Sequence, residues 1–359
     1  MANKLDLTPI SDWGFFKLPP RPCVIAGPCS AESEEQVVET AKALKEMGIN
    51  VFRAGVWKPR THPGCFEGAG VPALKWLQRV QKEFGLKVCT EVANEKHVYE
   101  CIKHGIDMVW IGARTSANPF LMQEIAEALR DTDFPVLVKN PVNPDIDLWI
   151  GAFERLNAQG VKKLGAIHRG VSTSSKIKYR NDPQWDMAVE MRSRYPELPI
   201  FVDPSHMAGK REYLQELSQK AMNLGFDGLM IESHCKPECA LSDAAQQLTP
   251  KDLYTLLTTI MVREATSADD VYNEKLNQLR TQIDIIDENI IHNLVLRLRM
   301  CREIGKLKSQ NNVSIVQTER WERVVENAVT AANSHGLDPD IIKKLFILIH
   351  KASVEEQND

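Results

Sequence analysis

The sequence has little that would direct the chain to a membrane, to nucleic acid or to an oxidising compartment. No uncharged apolar run approaches the roughly 20 residues that a membrane-spanning helix needs, and the first residues lack the basic-then-apolar pattern of a secretion signal. The formal net charge is only −4 over 359 residues, so no global field attracts nucleic acid or an anionic lipid surface. We therefore expect a cytoplasmic protein with no nucleic-acid or membrane partner, in which any anion site is built locally.

The cysteines are also too few and too scattered for a disulfide framework. Eight thiols in a chain of this length suggest small buried apolar side chains, with a metal ligand as the exception. His234, Cys235 and Cys239 lie close together in HCKPEC. Because no second Cys/His cluster accompanies them, the pattern disfavours a structural zinc site.

The first two thirds of the chain repeat one supersecondary pattern. Between residue 23 and about residue 262, short apolar runs rich in β-branched residues alternate with amphipathic segments. Eight such β-then-α units in about 240 residues predict a (β/α)₈ barrel, the TIM barrel, with an open doubly wound sheet as the α/β alternative. We assign this domain to residues 1–262.

The pattern changes after residue 262. Residues 263–272 are polar and without periodicity, which predicts a linker. Apolar residues then recur at alternating spacings of three and four, as in a long amphipathic helix that ends near residue 310: Leu276, Leu279, Ile283, Ile286 and Ile290. Two further helical stretches and no strand-like run predict a small all-α, three-helix domain over residues 273–359.

Cations collect where the predicted strands end, and in a barrel these positions share one open face. Such like charges repel one another unless an anion lies between them. A site for two phosphorylated or carboxylated substrates would explain the set, and pairing of each cation with a carboxylate on the rim is the alternative. The cations are Arg53, Lys58, Arg60, Arg114, Lys139 and Arg169.

A second set at the strand ends combines a thiol, an imidazole and two carboxylates. These donors suit a divalent metal of borderline softness, Mn²⁺, Fe²⁺ or Zn²⁺ rather than Mg²⁺. A lone Cys after a strand is more often buried filler, so the composition of the set is a weak signal by itself. The residues are Cys29, His206, Glu232 and Asp243.

The long C-terminal helix carries its own cations. Arg297 and Lys308 are about 16 Å apart along the axis on nearly one face, so both can reach a small dianion. Arg280 lies about 25 Å before Arg297 and would have to act from a partner's antiparallel helix. The alternative is a coiled-coil dimerisation helix with solvated cations.

The strand-end motifs resemble those of the 3-deoxy-D-arabino-heptulosonate 7-phosphate (DAHP) synthases, in the subgroup most similar to the 3-deoxy-octulosonate 8-phosphate synthases. In order over about residues 20–262 they are AGPCS, RAGVWKPRT, TEV, IGAR, VLVKN, HRG, VDPSH, IESH and ALSD. The resemblance implies condensation of phosphoenolpyruvate with erythrose 4-phosphate, and KPRT in place of KANR argues against the octulosonate reaction. HRG stands where ERG is more usual, and THPGCFEGAG replaces the commoner TSPYSFQGLG.

The resemblance also implies residue roles. One divalent metal per barrel, which we expect to be Mn²⁺, would be held by Cys29, His206, Glu232 and Asp243. Phosphoenolpyruvate would be held by Arg114, Lys139 and Arg169. Erythrose 4-phosphate would be held by Arg60 and Thr61, and Arg53 and Asp203 complete the predicted substrate-binding set. We expect Lys58 to donate a proton to the aldehyde oxygen and Glu91 to orient the water that adds.

The C-terminal segments LRTQIDIIDENIIHNLVLRLRMCREIGKLK, ERWERVVENA and LFILIHKASVEEQ resemble the three helices of the all-helical chorismate mutases. The resemblance implies rearrangement of chorismate to prephenate in an intertwined homodimer, with Lys308 at the ether oxygen. The implied binding residues are Arg280, Arg297, Lys308, Arg320, Ser353 and Gln357. Two positions depart from the pattern: Gln317 replaces a common Asp, and Trp321 a common Glu or Gln.

The two resemblances together predict a bifunctional enzyme of the shikimate pathway. We further expect prephenate, the mutase product, to inhibit the barrel through the helical domain. The alternative is an octulosonate synthase with a non-catalytic helical dimerisation or sensor module.

Overall fold

The chain divides into two compact units, Met1–Ala265 and Thr266–Asp359. The computed structural model describes residues 4–16, 22–59, 64–174, 176–264 and 266–358. Two residues predicted to bind substrate, Arg60 and Thr61, lie outside the described residues.

The first unit is a closed barrel of parallel strands that pair in sequence order. β1 pairs with β8 as well as with β2, and this closing register runs from Cys23 opposite Gly228 to Gly27 opposite Glu232. The predicted (β/α)₈ barrel is thereby confirmed, and the open doubly wound sheet is excluded. The strands are β1 Cys23–Gly27, β2 Val51–Arg53, β3 Lys87–Val92, β4 Met108–Ile111, β5 Val136–Lys139, β6 Leu164–His168, β7 Ile200–Val202 and β8 Gly228–Glu232.

Helices follow every strand of the barrel. They are α1 Glu34–Glu46, α2 Val71–Phe84, α3 Glu95–Lys103, α4 Pro119–Ala128, α5 Ile146–Ala158, α6 Trp185–Arg194, α7 Pro204–Ala208, α8 Leu214–Asn223 and α9 Pro250–Thr259. Short polar side chains mark where several of them begin. Ser33, Asn94, Asn118 and Asp145 each accept a hydrogen bond from a backbone N–H in the first turn, which satisfies donors that have no partner within the helix.

Two apolar clusters stabilise the barrel. The larger cluster lies between the strands and the surrounding helices, with Phe52, Val109 and Trp149 among its buried members. A smaller cluster takes the alternate side chains of the strands, including Trp110 and Phe201, together with Trp13 from the N-terminal 3₁₀ turn Ile10–Trp13. Because strand side chains alternate, this second cluster fills the inside of the barrel.

The second unit consists of α10 Asp270–Gln310, α11 Thr318–Ser334 and α12 Pro339–Asn358. The first of these helices begins inside the segment for which the sequence predicts a linker. α12 packs against both α10 and α11. The contact with α10 is close because Gly305 has no side chain: a Cβ there would lie 2.7 Å from the carbonyl oxygen of Gln357.

Within the described part of the chain, no helix is both long enough and apolar enough to cross a lipid bilayer.

Candidate active sites

The barrel strands deliver ionisable side chains to their carboxyl ends with a two-residue period. On six strands, an inward-facing residue of the inner apolar cluster is followed two positions later by a charged or titratable residue. Alternation along the strand therefore aims each of these side chains at the open end of the barrel interior. The pairs are Val51 and Arg53, Cys89 and Glu91, Leu137 and Lys139, Ile167 and Arg169, Phe201 and Asp203, and Met230 and Glu232.

A cavity of about 270 Å³ opens at this end of the barrel. Seven residues of the predicted site line it: Lys58, Glu91, Arg114, Lys139, Arg169, His206 and Asp243. Its wall also contains five residues that the sequence analysis did not select: Pro59, Cys65, Gly112, Ala113 and Arg180.

Three of the four predicted metal ligands meet beside this cavity. The candidate ligand atoms of Cys29, His206 and Asp243 all lie within 4.8 Å of one another, and Cys29 Sγ is 3.2 Å from Asp243 Oδ2. Glu232 lies next to this group, with Oε1 3.7 Å from His206 Nε2. A thiol, an imidazole and carboxylates at such spacing fit a divalent cation of borderline softness.

His206 is oriented by Asp203, the residue that caps α7. The Asp203 carboxylate accepts a hydrogen bond from the His206 backbone N–H at 3.0 Å, and its Oδ2 lies 2.7 Å from His206 Nδ1. Burial lowers the pKa of His206, although Asp203 opposes the shift. With Nδ1 beside Asp203, Nε2 is the nitrogen that faces Glu232 and the ligand group, the arrangement typical of metal-binding histidines.

Arg53 and Glu232 form a buried ion pair beneath the cavity. Arg53 NH2 is 3.2 Å from Glu232 Oε1, and both side chains are almost fully buried. The guanidinium also lies over the ring of Trp110, with Cζ 4.7 Å from the ring centroid. Among the described residues, neither Arg53 nor Asp203 lines the cavity. Asp203 supports a residue that does line it, because Lys139 Nζ donates to Asp203 Oδ2 at 2.8 Å. Arg53 instead pairs with Glu232, one of the predicted metal ligands.

Lys58 and Cys29 are in direct contact, with Lys58 Nζ 2.9 Å from Cys29 Sγ. Burial raises the pKa of Cys29 to about 12, and the nearby Glu232 adds to the shift. Burial alone would lower the pKa of Lys58, but the charges of Cys29, Glu91 and Glu232 raise it. The pair is thus an ammonium beside a thiol, and a bound cation would have to displace the thiol proton.

Glu91 is fixed by two neighbours on the next strand and its loop. Trp110 Nε1 donates to Glu91 Oε2 at 3.0 Å. The other oxygen occupies the space where a side chain at position 112 would be: a Cβ on Gly112 would lie 2.3 Å from Glu91 Oε1. The glycine of the IGAR motif therefore makes room for this carboxylate.

Arg169 is a partly buried cation whose hydrogen-bond partners within the described part of the chain are neutral. It donates to Asn181 Oδ1 at 3.0 Å and to the carbonyl of Gly170 at 3.4 Å. Burial lowers the pKa of Arg169 to about 10, and the charges of Arg180 and Arg114 act in the same direction. An anion in the cavity would relieve both the desolvation and the mutual repulsion of these guanidinium groups.

The preceding residue, His168, is buried outside the barrel interior between aromatic rings. It packs near Trp149 and Trp185, and Nε2 contacts the carbonyl oxygen of Pro183. Burial lowers the pKa of His168 to about 4, so the ring is neutral near pH 7. In the HRG motif, His168 therefore packs in the wall of the barrel and Arg169 faces the cavity.

The helical unit gathers a second group of predicted residues between α10 and α12. Arg297 donates to Ser353 Oγ, and Lys308 Nζ is 3.0 Å from Gln357 Oε1. Arg280 and Arg320 are exposed in the single chain. Trp321, which departs from the mutase pattern, stacks on His350 with ring centroids 4.0 Å apart.

Arg180 and Cys65 line the cavity but are absent from the predicted site. Arg180 lies in SSKIKYRND, where two lysines precede it and no periodicity separates one cation from another. Cys65 lies in the loop THPGCFEGAG. Only the folded position of each residue brings it to the cavity, so the local sequence carries no signal for either.

Comparison with known families agrees with this geometry in both units. Residues 19–267 match the model of the DAHP synthetase I family, and residues 279–358 match that of chorismate mutase type II. The chain belongs to the DAHP synthetase I family. It therefore carries a DAHP synthase domain, of a transferase family, followed by a chorismate mutase domain, of an isomerase family.

Two relatives carry the names of the two alternative barrel enzymes, a heptonate aldolase and an octonate aldolase. The phospho-2-dehydro-3-deoxyheptonate aldolase of Thermotoga maritima is 36% identical over 225 residues, which are 63% of this chain and 64% of the relative. The 2-dehydro-3-deoxyphosphooctonate aldolase of Legionella pneumophila strain Corby is 26% identical over 279 residues, 70% of this chain and 93% of the relative. The match thus spans slightly less than two thirds of the Thermotoga protein.

Solved structures share the fold. The crystal structure of phospho-2-dehydro-3-deoxyheptonate aldolase (DAHP synthase) from Thermotoga maritima matches with a TM-score of 0.63 at 33% identity, over 70% of this chain and 72% of that one. A truncated form of 3-deoxy-D-arabino-heptulosonate 7-phosphate synthase from the same organism matches with a TM-score of 0.58 at 30% identity, over 68% and 88%.

Removal of the Cys29 thiol tests the predicted metal site directly. In Cys29→Ala we expect the affinity for Mn²⁺ or Zn²⁺ to fall at least about tenfold, because one of the clustered donors is lost. Equilibrium dialysis with metal analysis of the folded protein measures this. Cys239→Ala, which removes an exposed thiol elsewhere, is the control and should bind metal like the parent. Equal affinity in Cys29→Ala and the parent would contradict the site.

Proposed function

We propose that the barrel condenses phosphoenolpyruvate with erythrose 4-phosphate to give DAHP and phosphate, and that the helical unit rearranges chorismate to prephenate. The observation that carries the first half is the cationic cavity beside the cluster of Cys29, His206 and Asp243. Two anionic reactants and one divalent cation are what such a cavity can hold.

The charges of the cavity suggest where each substrate binds. Arg114, Lys139 and Arg169 line it and would hold the phosphate and carboxylate of phosphoenolpyruvate, with guanidinium groups well suited to paired oxygens. The resemblance assigns the phosphate of erythrose 4-phosphate to Arg60 and Thr61. The aldehyde end would then point toward Lys58 and the metal ligands.

The reaction follows from this placement. The methylene carbon of phosphoenolpyruvate forms a bond to the aldehyde carbon, and the aldehyde oxygen takes a proton. Lys58 is the proposed proton donor, since its ammonium lies in the cavity beside Cys29. Water then adds to the former enol carbon, and phosphate leaves with cleavage of its bond to that carbon. Glu91, fixed by Trp110, is the proposed group that orients this water.

A divalent cation bound by Cys29, His206, Asp243 and the adjacent Glu232 would supply Lewis acidity toward the aldehyde. The donor set supports Mn²⁺ as the metal, with Fe²⁺ and Zn²⁺ as alternatives.

The octulosonate reaction is the second candidate for the barrel. The motif KPRT and the higher identity to the heptonate aldolase, 36% against 26%, favour erythrose 4-phosphate as the acceptor. Faster turnover of arabinose 5-phosphate than of erythrose 4-phosphate by the purified protein would reverse this assignment.

The mutase reaction needs cationic side chains around the substrate and no catalytic base. The rearrangement is pericyclic, so it requires one conformer of chorismate and stabilisation of the breaking ether bond. Arg297 and Lys308 are held by Ser353 and Gln357 across α10 and α12. Lys308 is the proposed donor to the ether oxygen, and the arrangement supports a substrate dianion between the two cations.

Two lysine variants should separate the activities. We expect Lys58→Ala to lose roughly 10²–10⁴-fold in the condensation rate and to retain mutase activity. We expect Lys308→Ala to retain condensation activity and to lose roughly 10²–10³-fold in the mutase rate. Phosphate release and chorismate consumption, measured on one preparation, test both variants.

Lys306→Ala is the matched control for the mutase, because Lys306 is an exposed cation on the same helix that pairs with Glu303. A chelator should stop the condensation alone. Unchanged chorismate consumption in Lys308→Ala would favour a non-catalytic helical module.

We also propose a homodimer formed through α10. The side chains of Leu279, Ile283, Ile286 and Ile290 are each about half exposed in a single chain, at 50%, 55%, 56% and 53%. A second copy packed antiparallel would cover this stripe. It would also bring its Arg280 to the cations of the first chain, which the same helix cannot do over about 25 Å.

Mixing two inactive variants tests this arrangement. A mixed dimer of Arg280→Ala and Lys308→Ala chains would contain one site with both residues intact. Statistical exchange should therefore restore roughly a quarter of the mutase sites, read as chorismate consumption after the two proteins are unfolded and refolded together. Each variant refolded alone is the control, and no recovery in the mixture would contradict a shared site.

Prephenate is the proposed inhibitor of the barrel, acting from the mutase site. The proposal requires that prephenate bind two states of the protein with different affinities. We expect saturating prephenate to reduce the condensation rate at least about fivefold in the parent. In Arg297→Ala, which should no longer hold the dianion, the inhibition should disappear while the uninhibited condensation rate stays near that of the parent. Parent activity that is indifferent to prephenate would exclude this regulation.

A further inference from the structure

Arg180 lies at the edge of the cavity, on the loop that follows β6, and bridges to the loop that follows β8. Its NH1 is 2.9 Å from Asp243 Oδ1 and 3.0 Å from Gln246 Oε1. Gln246 in turn donates from Nε2 to Glu232 Oε2 at 2.8 Å. One guanidinium is therefore linked to two of the four predicted metal ligands, directly to Asp243 and through Gln246 to Glu232.

The carboxylate of Asp243 is shared between Arg180 and the ligand group. Oδ1 accepts from Arg180, and Oδ2 lies 3.2 Å from Cys29 Sγ. Asp243 also adopts a left-handed backbone conformation, with φ of 50°. Few non-glycine residues occupy this region unless the surroundings hold them there. Holding Oδ1 leaves Oδ2 directed at the group formed by Cys29 and His206.

The position of Arg180 is itself fixed by α7, the helix that carries His206. The backbone N–H of Arg180 donates to the carbonyl of Ala208 at 3.2 Å. Its side chain lies over Gly209, where a Cβ would come within 2.6 Å of Arg180 Cβ. The adjacent Asn181 donates from Nδ2 to the carbonyl of His206 at 2.7 Å. The segment of Arg180 and Asn181 thus ties the helix of one ligand to the carboxylate of another.

We propose that Arg180 is a positioning residue for the metal site, which holds the Asp243 carboxylate in the orientation that binds the cation. This inference rests on the metal site of the proposed function. It assigns Arg180 to the protein's own carboxylate, whereas Arg114 and Arg169 serve the anionic substrate. Loss of a hydrogen-bonding partner of a metal ligand commonly weakens metal binding 10- to 100-fold.

The test is direct titration of the full-length, metal-free protein with Mn²⁺, with free Mn²⁺ measured by electron paramagnetic resonance. Arg180→Gln should raise the Kd for Mn²⁺ about 10- to 100-fold. Arg180→Lys should recover part of this loss, because an ammonium keeps a positive charge near Asp243 but does not reproduce the position of the NH1 group that meets both Asp243 and Gln246. At saturating Mn²⁺, the KM for phosphoenolpyruvate should stay within about twofold of the parent value in both variants, since the residue would not hold this substrate.

Arg211→Gln is the matched control. Arg211 anchors the same loop, but through backbone carbonyls: Nε lies 2.6 Å from the oxygen of Gln247 and NH2 3.0 Å from that of Ala244. Its loss should leave the Kd for Mn²⁺ within about twofold of the parent, because no ligand carboxylate loses its donor. Circular dichroism establishes that each variant is folded, and Arg180→Lys supplies the measurement if Arg180→Gln is not.

Three results would overturn the inference. The first is an Mn²⁺ affinity in the Arg180 variants equal to that of the parent. The second is an equal loss in Arg211→Gln, which would reduce Arg180 to a loop anchor. The third is unchanged metal affinity with a raised KM for phosphoenolpyruvate, which would make it a substrate ligand. A parent protein that binds no Mn²⁺ would instead remove the metal site of the proposed function, and this inference with it.

Discussion

Buried charge at the carboxyl ends of the strands is the constraint on which the rest of the barrel depends. Arg53 with Glu232 and Lys139 with Asp203 are ion pairs with almost no exposed surface. Each such ion costs several kcal/mol to remove from water, and the cost is offset only by well-placed partners. The partners come from strands that are far apart in sequence, such as β2 and β8. Closure of the barrel is therefore a condition for charge at these positions.

The two pairs also define two layers of the site. The lower layer contains charges that neutralise one another and orient the residues above, as Asp203 does for His206. The upper layer keeps cations such as Arg169 facing the cavity with neutral partners. The two arginines thus differ in role: Arg53 is balanced by a buried carboxylate of the protein, whereas Arg169 faces the cavity. Lys139 belongs to both layers, because it lines the cavity and also pairs with Asp203.

The sequence predicts much of the barrel because one periodicity sets both the core and the site. Apolar alternation defines the inner face of each strand, and the next inward position after the last core residue falls at the open end. This is why the sequence alone indicates Glu91, Lys139 and Asp203 as candidate site residues at the strand ends. In the helical unit, the spacing of Arg297 and Lys308 on one face left a dimerisation helix with solvated cations as an alternative, and the resemblance to the chorismate mutases selected the pair.

The residues that escaped prediction belong to loops. Arg180 and Gln246 reach the predicted metal ligands through turns that no alternation of apolar residues describes. The left-handed conformation of Asp243 likewise has no signature in SDAAQ. The layering of Arg53 and Asp203 beneath the cavity was not predictable either. It depends on how deep each strand ends within the barrel, which is a property of the strand register.

The imidazole of His168 alters the electrostatics around Arg169. Synthases that resemble this chain more usually have a glutamate before the same Arg-Gly pair, and an ionised carboxylate at that point would place a countercharge behind the guanidinium. Here the neighbour is a neutral ring enclosed by Trp149 and Trp185. The residue before Arg169 therefore contributes no negative charge to balance the guanidinium. More of the positive potential of Arg169 is then left to act on an anion at the open end of the barrel.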